Sequence, residues 1–175
     1  MIGERFTREA RTAVQGAVEE ARRAAATEVA PEHLLLAVLD APVLASFGVR
    51  RDEVEADLRS ARRRGGLSGA DAAALQGLGI DVDEVVASVE RSLGEGALAA
   101  GPAPKRRWFG PPFTAAVKRV VARGLVEARD LGHGTLGEEH LVLALLSGPG
   151  LAAEVLGARG VDYPGVRRRV AGSPR

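Results

Sequence analysis

Two Glu-His pairs, Glu32-His33 and Glu139-His140, are the residues of this 175-residue chain whose types and spacing could do chemistry. A carboxylate beside an imidazole can act as a general base, a metal ligand or a clamp for a cation. The neighbours narrow that choice. His33 and His140 each stand alone in sequence, with no partner at metal-ligand spacing, and His133 sits in a Gly-rich turn where solvent is its natural partner. The chain has no cysteine, which removes disulfides, thiolate metal sites and a cysteine nucleophile together. No serine lies on a G-x-S-x-G elbow. Lys105 and Lys118 are the only lysines, and neither has the preceding glycine or following Ser/Thr of a phosphate-cradling G-x-x-x-x-G-K-[ST] loop. The histidines therefore read as structural residues at helix starts. The expectation is a non-enzyme with no catalytic set, no metal site and no cofactor. Glu32 and Glu139 remain, each in a first helical turn, where the helix dipole favours a carboxylate by about 0.3–1 kcal/mol.

The elements that must hold these acids are duplicated. Phe6-Thr7, Glu20-Ala21-Arg22 and Glu32-His33-Leu34 recur as Phe113-Thr114, Glu127-Ala128-Arg129 and Glu139-His140-Leu141, always 107 residues on. Self-similarity at a fixed offset marks repeated supersecondary units. In the first copy Ala10, Val14, Ala17, Val18 and Ala21 form a helical stripe, and Val117, Val121, Leu125 and Ala128 form its counterpart. Each Glu-His pair then opens a helix that is apolar nearly all round, as a central buried helix must be. A short apolar segment follows, and a last amphipathic helix carries Val54 and Leu58 in one copy, Val166 and Val170 in the other. Pro164 fits that helix only in its first turn. By Gly48-Val49 against Gly160-Val161 the offset has grown to 112, which predicts a loop five residues longer in the second copy.

Between the copies, Asp83-Glu84-Val85 repeats Asp52-Glu53-Val54, and Asp81 with Glu84 forms a capping-box-like pair. The fold predicted is all-α: a pseudo-twofold tandem repeat of about four helices each, with an extra helical insert. The boundaries read as a first repeat over 1–64, a partial repeat over 65–95, a Gly/Pro-rich linker over 96–112 and a second repeat over 113–175.

Composition agrees and excludes other classes. Six aromatic residues and abundant Ala, Leu, Arg and Glu favour helices over strands. A net charge of +1 gives no overall pull toward nucleic acid or anionic lipid. Three basic clusters, Arg62-Arg63-Arg64, Lys105-Arg106-Arg107 and Arg167-Arg168-Arg169, read as solvated element ends, with a nucleic-acid-binding helical protein as the alternative. The first residues, MIGERFTREA, lack a secretory apolar core, and the apolar run Leu34–Leu39 is too short to span a bilayer. A cytoplasmic protein without a membrane partner is expected.

The pattern F-T-x-x-A followed by E-H-L-L-L resembles the Clp N-terminal repeat, the unit of the N domain of Clp unfoldases, the ClpC branch above all. Phe6-Thr7-Arg8-Glu9-Ala10 with Glu32-His33-Leu34-Leu35-Leu36 carries it, as does Phe113-Thr114 with Glu139-His140-Leu141-Val142-Leu143. Family members have Gly-Thr before Glu-His, where this chain has Ala30-Pro31 and Gly137-Glu138, and a phenylalanine near the N-terminus, where only Ile2 follows Met1. The resemblance implies a free-standing N domain without ATPase modules that recognises client or adaptor proteins of the Clp protease, as adaptor or decoy. It implies phosphoarginine-marked clients as ligands, with Glu32 and Glu139 on the guanidinium and the Phe-Thr turn near the phosphate, and with the candidates paired within each copy, Thr7 with Glu32 and Thr114 with Glu139. It also implies cyclic-peptide natural products as partners, on a surface lined by Phe113 and Lys118. Trp108-Phe109, ahead of the second copy, read as aromatics packed back onto the domain.

Overall fold

A computed structural model of the chain describes residues 5–99 and 110–172. Lys105-Arg106-Arg107, Trp108-Phe109 and Ile2 lie outside the described residues. The first repeat holds α1 (Arg8–Arg23), α2 (Pro31–Ala37), α3 (Pro42–Ala45) and α4 (Arg51–Arg63). The insert holds α5 (Gly69–Gly77) and α6 (Val82–Leu93), and the second repeat α7 (Ala115–Asp130), α8 (Glu138–Ser147), α9 (Leu151–Gly157) and α10 (Tyr163–Gly172). The five added residues of the second copy do not lengthen a loop. They are taken up as helix, since α8 and α9 are longer than α2 and α3.

Each helix start follows from a residue beside it. Thr7 and Thr114 cap α1 and α7, each Oγ1 accepting from the backbone N–H three residues on, at 3.1 Å from Ala10 and 3.2 Å from Val117. The recurring Phe-Thr pair is thus a helix-start signal. Asp81 caps α6, accepting from the N–H groups of Asp83 and Glu84, but among the described residues Glu84 does not return the bond that would complete the box with Asp81. Ser68 and Asp71 form a complete capping box on α5. Pro164 lies in the first turn of α10, where Asp162 accepts from the Gly165 N–H at 2.7 Å. The turn after α1 needs a left-handed residue. The second repeat supplies Gly132 there (φ 73°), whereas the first holds Ala25 at φ 49°, a conformation that costs a Cβ-bearing residue roughly 1–2 kcal/mol.

One core joins the two repeats. Leu34, Leu35, Val54, Leu141, Leu143 and Val166 are all fully buried within it, each contributing about 1.5–3 kcal/mol of burial. α1 packs on α2 and α7 on α8 within the repeats, and the partners then cross: α4 meets α9, and α10 meets α3. The crossing contacts are equivalent in position but different in chemistry. Arg159, after α9, pairs with Asp57 of α4. Phe47, after α3, takes the guanidinium of Arg169 of α10 over its ring, at 3.9 Å from the centroid. Arg159 and Phe47 correspond at the 112-residue offset, as do Arg169 and Asp57. An ion pair on one side does the work of a cation–π contact on the other.

The insert is held differently. Arg63 and Arg64 at the end of α4 reach Glu90 and Asp83 of α6 at 3.2 and 3.0 Å, while Val82 and Val86 are buried and α5 buries nothing. Among the described residues the exposed large apolar side chains are Leu78, Ile80, Val85 and Leu93 of the insert and Leu98 just after it. α6 begins at the residue 31 positions after the start of α4, the offset at which Asp83-Glu84-Val85 repeats Asp52-Glu53-Val54. Among the described residues no single helix is long and apolar enough to cross a membrane. The pair α8 and α9 would suffice together in length and composition, but it is bent by 99°.

Candidate functional site

The two repeats are stitched by backbone where their site residues lie. The Thr7 N–H donates to the Leu136 carbonyl at 2.8 Å, and the Leu136 N–H donates to that of Arg5 at 2.7 Å. At the same offset, the Thr114 N–H donates to the Val29 carbonyl at 3.0 Å, and the Val29 N–H to that of Pro112 at 2.8 Å. Phe6 and Phe113 thus form reciprocal parallel bridges with Leu136 and Val29. This exchange places the start of each Thr-capped helix beside the Glu-His helix of the other repeat. Pairing within a copy, Thr7 with Glu32 and Thr114 with Glu139, is not what the chain assembles. α1 and α2 run antiparallel, with Gly16 against Ala37, so Thr7 and Glu32 lie at opposite ends of α1, about 20 Å apart along its axis. The structure brings Thr7 to the segment leading into Glu139, and Thr114 to the segment leading into Glu32.

Both histidines are helix-start fixtures. The Ala30 N–H donates to His33 Nδ1 at 2.9 Å, and the Gly137 N–H to His140 Nδ1 at 2.8 Å. This is half of a capping box, because Ala30 and Gly137 have no side-chain acceptor to return the bond. Beyond that the copies differ. His133 does not face solvent alone: its Nδ1 lies 2.8 Å from His140 Nε2, with the rings edge to face. Because His140 Nδ1 accepts a backbone hydrogen, its Nε2 carries the proton and donates to His133. His133, Glu139 and His140 present donor atoms within 4.8 Å of one another, a spacing that suits a metal ion. A metal on His140 Nε2 would force the proton onto Nδ1, against the Gly137 N–H, and would cost the helix cap.

His33 has no such partner. Burial pushes its imidazole below the ordinary range, helped by Arg62, whose Nη2 lies 3.2 Å from Nε2, and opposed by Glu32 and Glu20. A depressed pKa means that the unfolded chain binds the proton more readily, so this contribution to stability is present above about pH 6.5 and is lost as pH falls through the lower folded value. The His33→Gln variant keeps an acceptor for the Ala30 N–H and cannot titrate. Its thermal midpoint is expected to fall less than that of the wild type between pH 7 and pH 5; parallel curves would remove His33 from the acid response.

The acids occupy unlike surroundings. The Glu139 carboxylate folds back over Gly137, in the space a Cβ would fill, and 3.5 Å from His140 Nδ1. Ala30 carries that Cβ in the first repeat, so Glu32 cannot fold the same way. Glu139 instead shares a cavity of about 540 Å³ with His133, Arg168, Arg169, Pro42 and Val43. Glu32 lies at a cavity of about 530 Å³ between the repeats, with Arg119, Arg123 and Val120 of α7 and Leu145 and Leu151 beyond. Glu138, beside Glu139, has its carboxyl held above the usual range by burial and by the charges of Glu9, Glu139 and Asp40. Phe113 is partly buried against the core at the junction of the repeats, as is Phe6, and Lys118 is exposed one turn into α7.

The recurring Glu-Ala-Arg motif has a role that its sequence did not disclose. Glu127 is fully buried and accepts from Tyr163 Oη at 2.9 Å and from Arg123 and Arg167, both at 2.7 Å. Its counterpart Glu20 pairs with Arg23 at 2.9 Å and Arg51 at 3.2 Å. Each glutamate thereby ties the first helix of its repeat to the last. Identity across copies at a charged position inside an amphipathic helix was the available signal.

Fold and site together define a duplicated helical repeat module whose paired, capped helix starts face each other across a pseudo-twofold axis. The family model of the Clp repeat N-terminal domain matches residues 5–68 and 112–173, and the chain belongs to that family. The chloroplastic chaperone protein ClpC1 of Oryza sativa subsp. japonica is 33% identical over 174 residues, which cover 95% of this chain and 15% of the relative. The chloroplastic ClpC2 of Arabidopsis thaliana reaches 50% identity over 60 residues, 34% of this chain and 6% of that protein. The chain thus spans about 15% of the length of the ClpC and ClpA relatives it matches along most of its own length. Among solved structures, the N-terminal domain of the ClpD chaperone from Arabidopsis thaliana superposes with a TM-score of 0.56 at 19% identity, covering 98% of both chains. The Hsp104 N-terminal domain from Candida albicans superposes at 0.54 and 17%, covering 97% of this chain and 93% of that one. These likenesses establish the all-helical Clp N-domain fold.

Proposed function

We propose that the chain is a non-enzymatic recognition module that binds client or adaptor segments of the Clp unfoldase-protease system. The observation that carries this reading is the backbone exchange at Phe6-Leu136 and Phe113-Val29, which sets a Thr-capped helix of one repeat beside a Glu-His helix of the other at two equivalent places. A capped helix start offers N–H groups to an anion, and an adjacent glutamate suits a guanidinium. Phosphoarginine joins both groups, so the proposed pairs are Thr114 with Glu32 and Thr7 with Glu139, each drawn from both repeats. Phe113 and Lys118, at the junction and on α7, are the proposed contacts for cyclic peptides. A cytoplasmic location belongs to the same proposal.

Calorimetric titration with free phosphoarginine at millimolar concentrations tests the ligand. Heat of binding in the wild type, weakened about tenfold or more in the Glu32→Ala/Glu139→Ala variant, is the expected outcome; a flat titration of a folded wild-type sample removes phosphoarginine. Client binding is tested separately, by affinity capture from lysate with the same two proteins.

Nucleic acid is the weaker reading, because the two clusters among the described residues spend much of their charge internally. Arg63 and Arg64 hold the insert, and Arg167 serves Glu127.

A further inference from the structure

We infer that the two repeats have diverged in charge, so that the cavity beside Glu32 takes an acidic side chain of a partner polypeptide while the equivalent face of the other repeat does not. The inference rests on the client-binding reading above and concerns which client segments fit. The cavity of about 530 Å³ has apolar walls from Val120, Leu145 and Leu151 and cations from Arg119 and Arg123. Arg123 gives one nitrogen to Glu127. Arg119 is exposed on α7 and makes no ion pair among the described residues. Glu32 is the single acid in the lining.

At the 107-residue offset the same positions on the other repeat read differently. Arg119 and Arg123 become Thr12 and Gly16, while Ala116, Pro31 and Ser147 become Glu9, Glu138 and Asp40. Glu9 and Asp40 lie near enough to Glu138 for their charges, after burial, to help hold its carboxyl above the usual range. Five equivalent positions thus change from two positive charges to three negative ones. Arg168 and Arg169 line the cavity that holds Glu139, and neither is among the charges that act on Glu138. An incoming carboxylate is drawn to one face and repelled by the other. The apolar walls select for leucine-like residues beside it. Charge of this kind decides which partner is accepted more than how tightly it is held.

The test is fluorescence anisotropy with two labelled Gly/Ser peptides, one carrying a Leu-Glu-Leu-Glu block and one a Leu-Lys-Leu-Lys block. The glutamate peptide is expected to bind at least about tenfold more tightly than the lysine peptide, and less tightly as salt rises. Arg119→Glu, on an exposed helix face, should weaken the glutamate peptide by about tenfold, whereas Glu9→Ala/Asp40→Ser should leave it unchanged. Equal affinities for the two peptides, no binding of the glutamate peptide, or an Arg119→Glu variant that binds it like the wild type would overturn the inference. Failure here with client capture intact removes only the preference for acidic segments. Loss of client capture with peptide binding intact removes the Clp reading instead.

Discussion

Glu127→Ala is expected to destabilise the domain by about 3 kcal/mol, as measured by urea denaturation at pH 7. Glu127 is fully buried, and its carboxylate receives Tyr163 Oη, Arg123 and Arg167. Removing one partner of a buried ion pair costs about 3–5 kcal/mol, because the charge left behind has nothing to compensate it. Here the lower end applies. The side chains of Arg123 and Arg167 are 47% and 35% exposed, so both can turn partly to water. The matched change Glu20→Ala should cost only about 1 kcal/mol, because Arg23 and Arg51 are 72% and 39% exposed and such surface pairs contribute about 0–1 kcal/mol. Equal losses in the two variants would contradict the asymmetry.

His140→Ala should cost about 2–3 kcal/mol by the same measurement. The change unpairs the Gly137 N–H at the start of α8, deprives His133 of its donor and leaves a cavity where a fully buried ring stood. His140→Gln separates these effects, since a glutamine at the third helical position restores an acceptor for the cap but not the contact with His133. It is expected to recover about 1 kcal/mol. No recovery would mean that the cap contributes little and that packing of the ring dominates.

Much of the fold was legible because it is written in local periodicity. The stripe Ala10-Val14-Ala17-Val18-Ala21, the apolar helices after each Glu-His pair and the Val54/Leu58 and Val166/Val170 faces are each contained in one helix; most of these residues are buried, with Val14, Val18, Ala37 and Leu146 partly so. The caps were half legible: Asp81 announced itself, while Thr7 and Thr114 were read for a ligand and their role as N-caps was not seen. What stayed hidden depends on residues far apart in the chain. Tyr163 and Arg167 reach Glu127 from 36 and 40 residues away, and no pattern along α7 shows that they will. His133 and His140 are seven residues apart across a turn, a separation with no helical meaning until the turn folds. The crossing of the Thr and Glu positions could not be read from two aligned copies, because an alignment shows equivalence and not exchange. The five-residue offset was visible in number but not in form. Two lengthened helices and a longer loop give the same count.

Whether the paired faces hold Clp clients, as proposed, is tested most directly by a competition. A labelled client is degraded by a purified Clp unfoldase-protease, and this chain is added in increasing excess. If the chain engages the client away from the motor, the degradation rate should fall several-fold, and the Glu32→Ala/Glu139→Ala variant should leave it near its starting value. A rate that rises on addition would instead identify an adaptor that delivers the client, since the client would still be bound. A rate unchanged at every concentration, with wild type and variant alike, would contradict client binding.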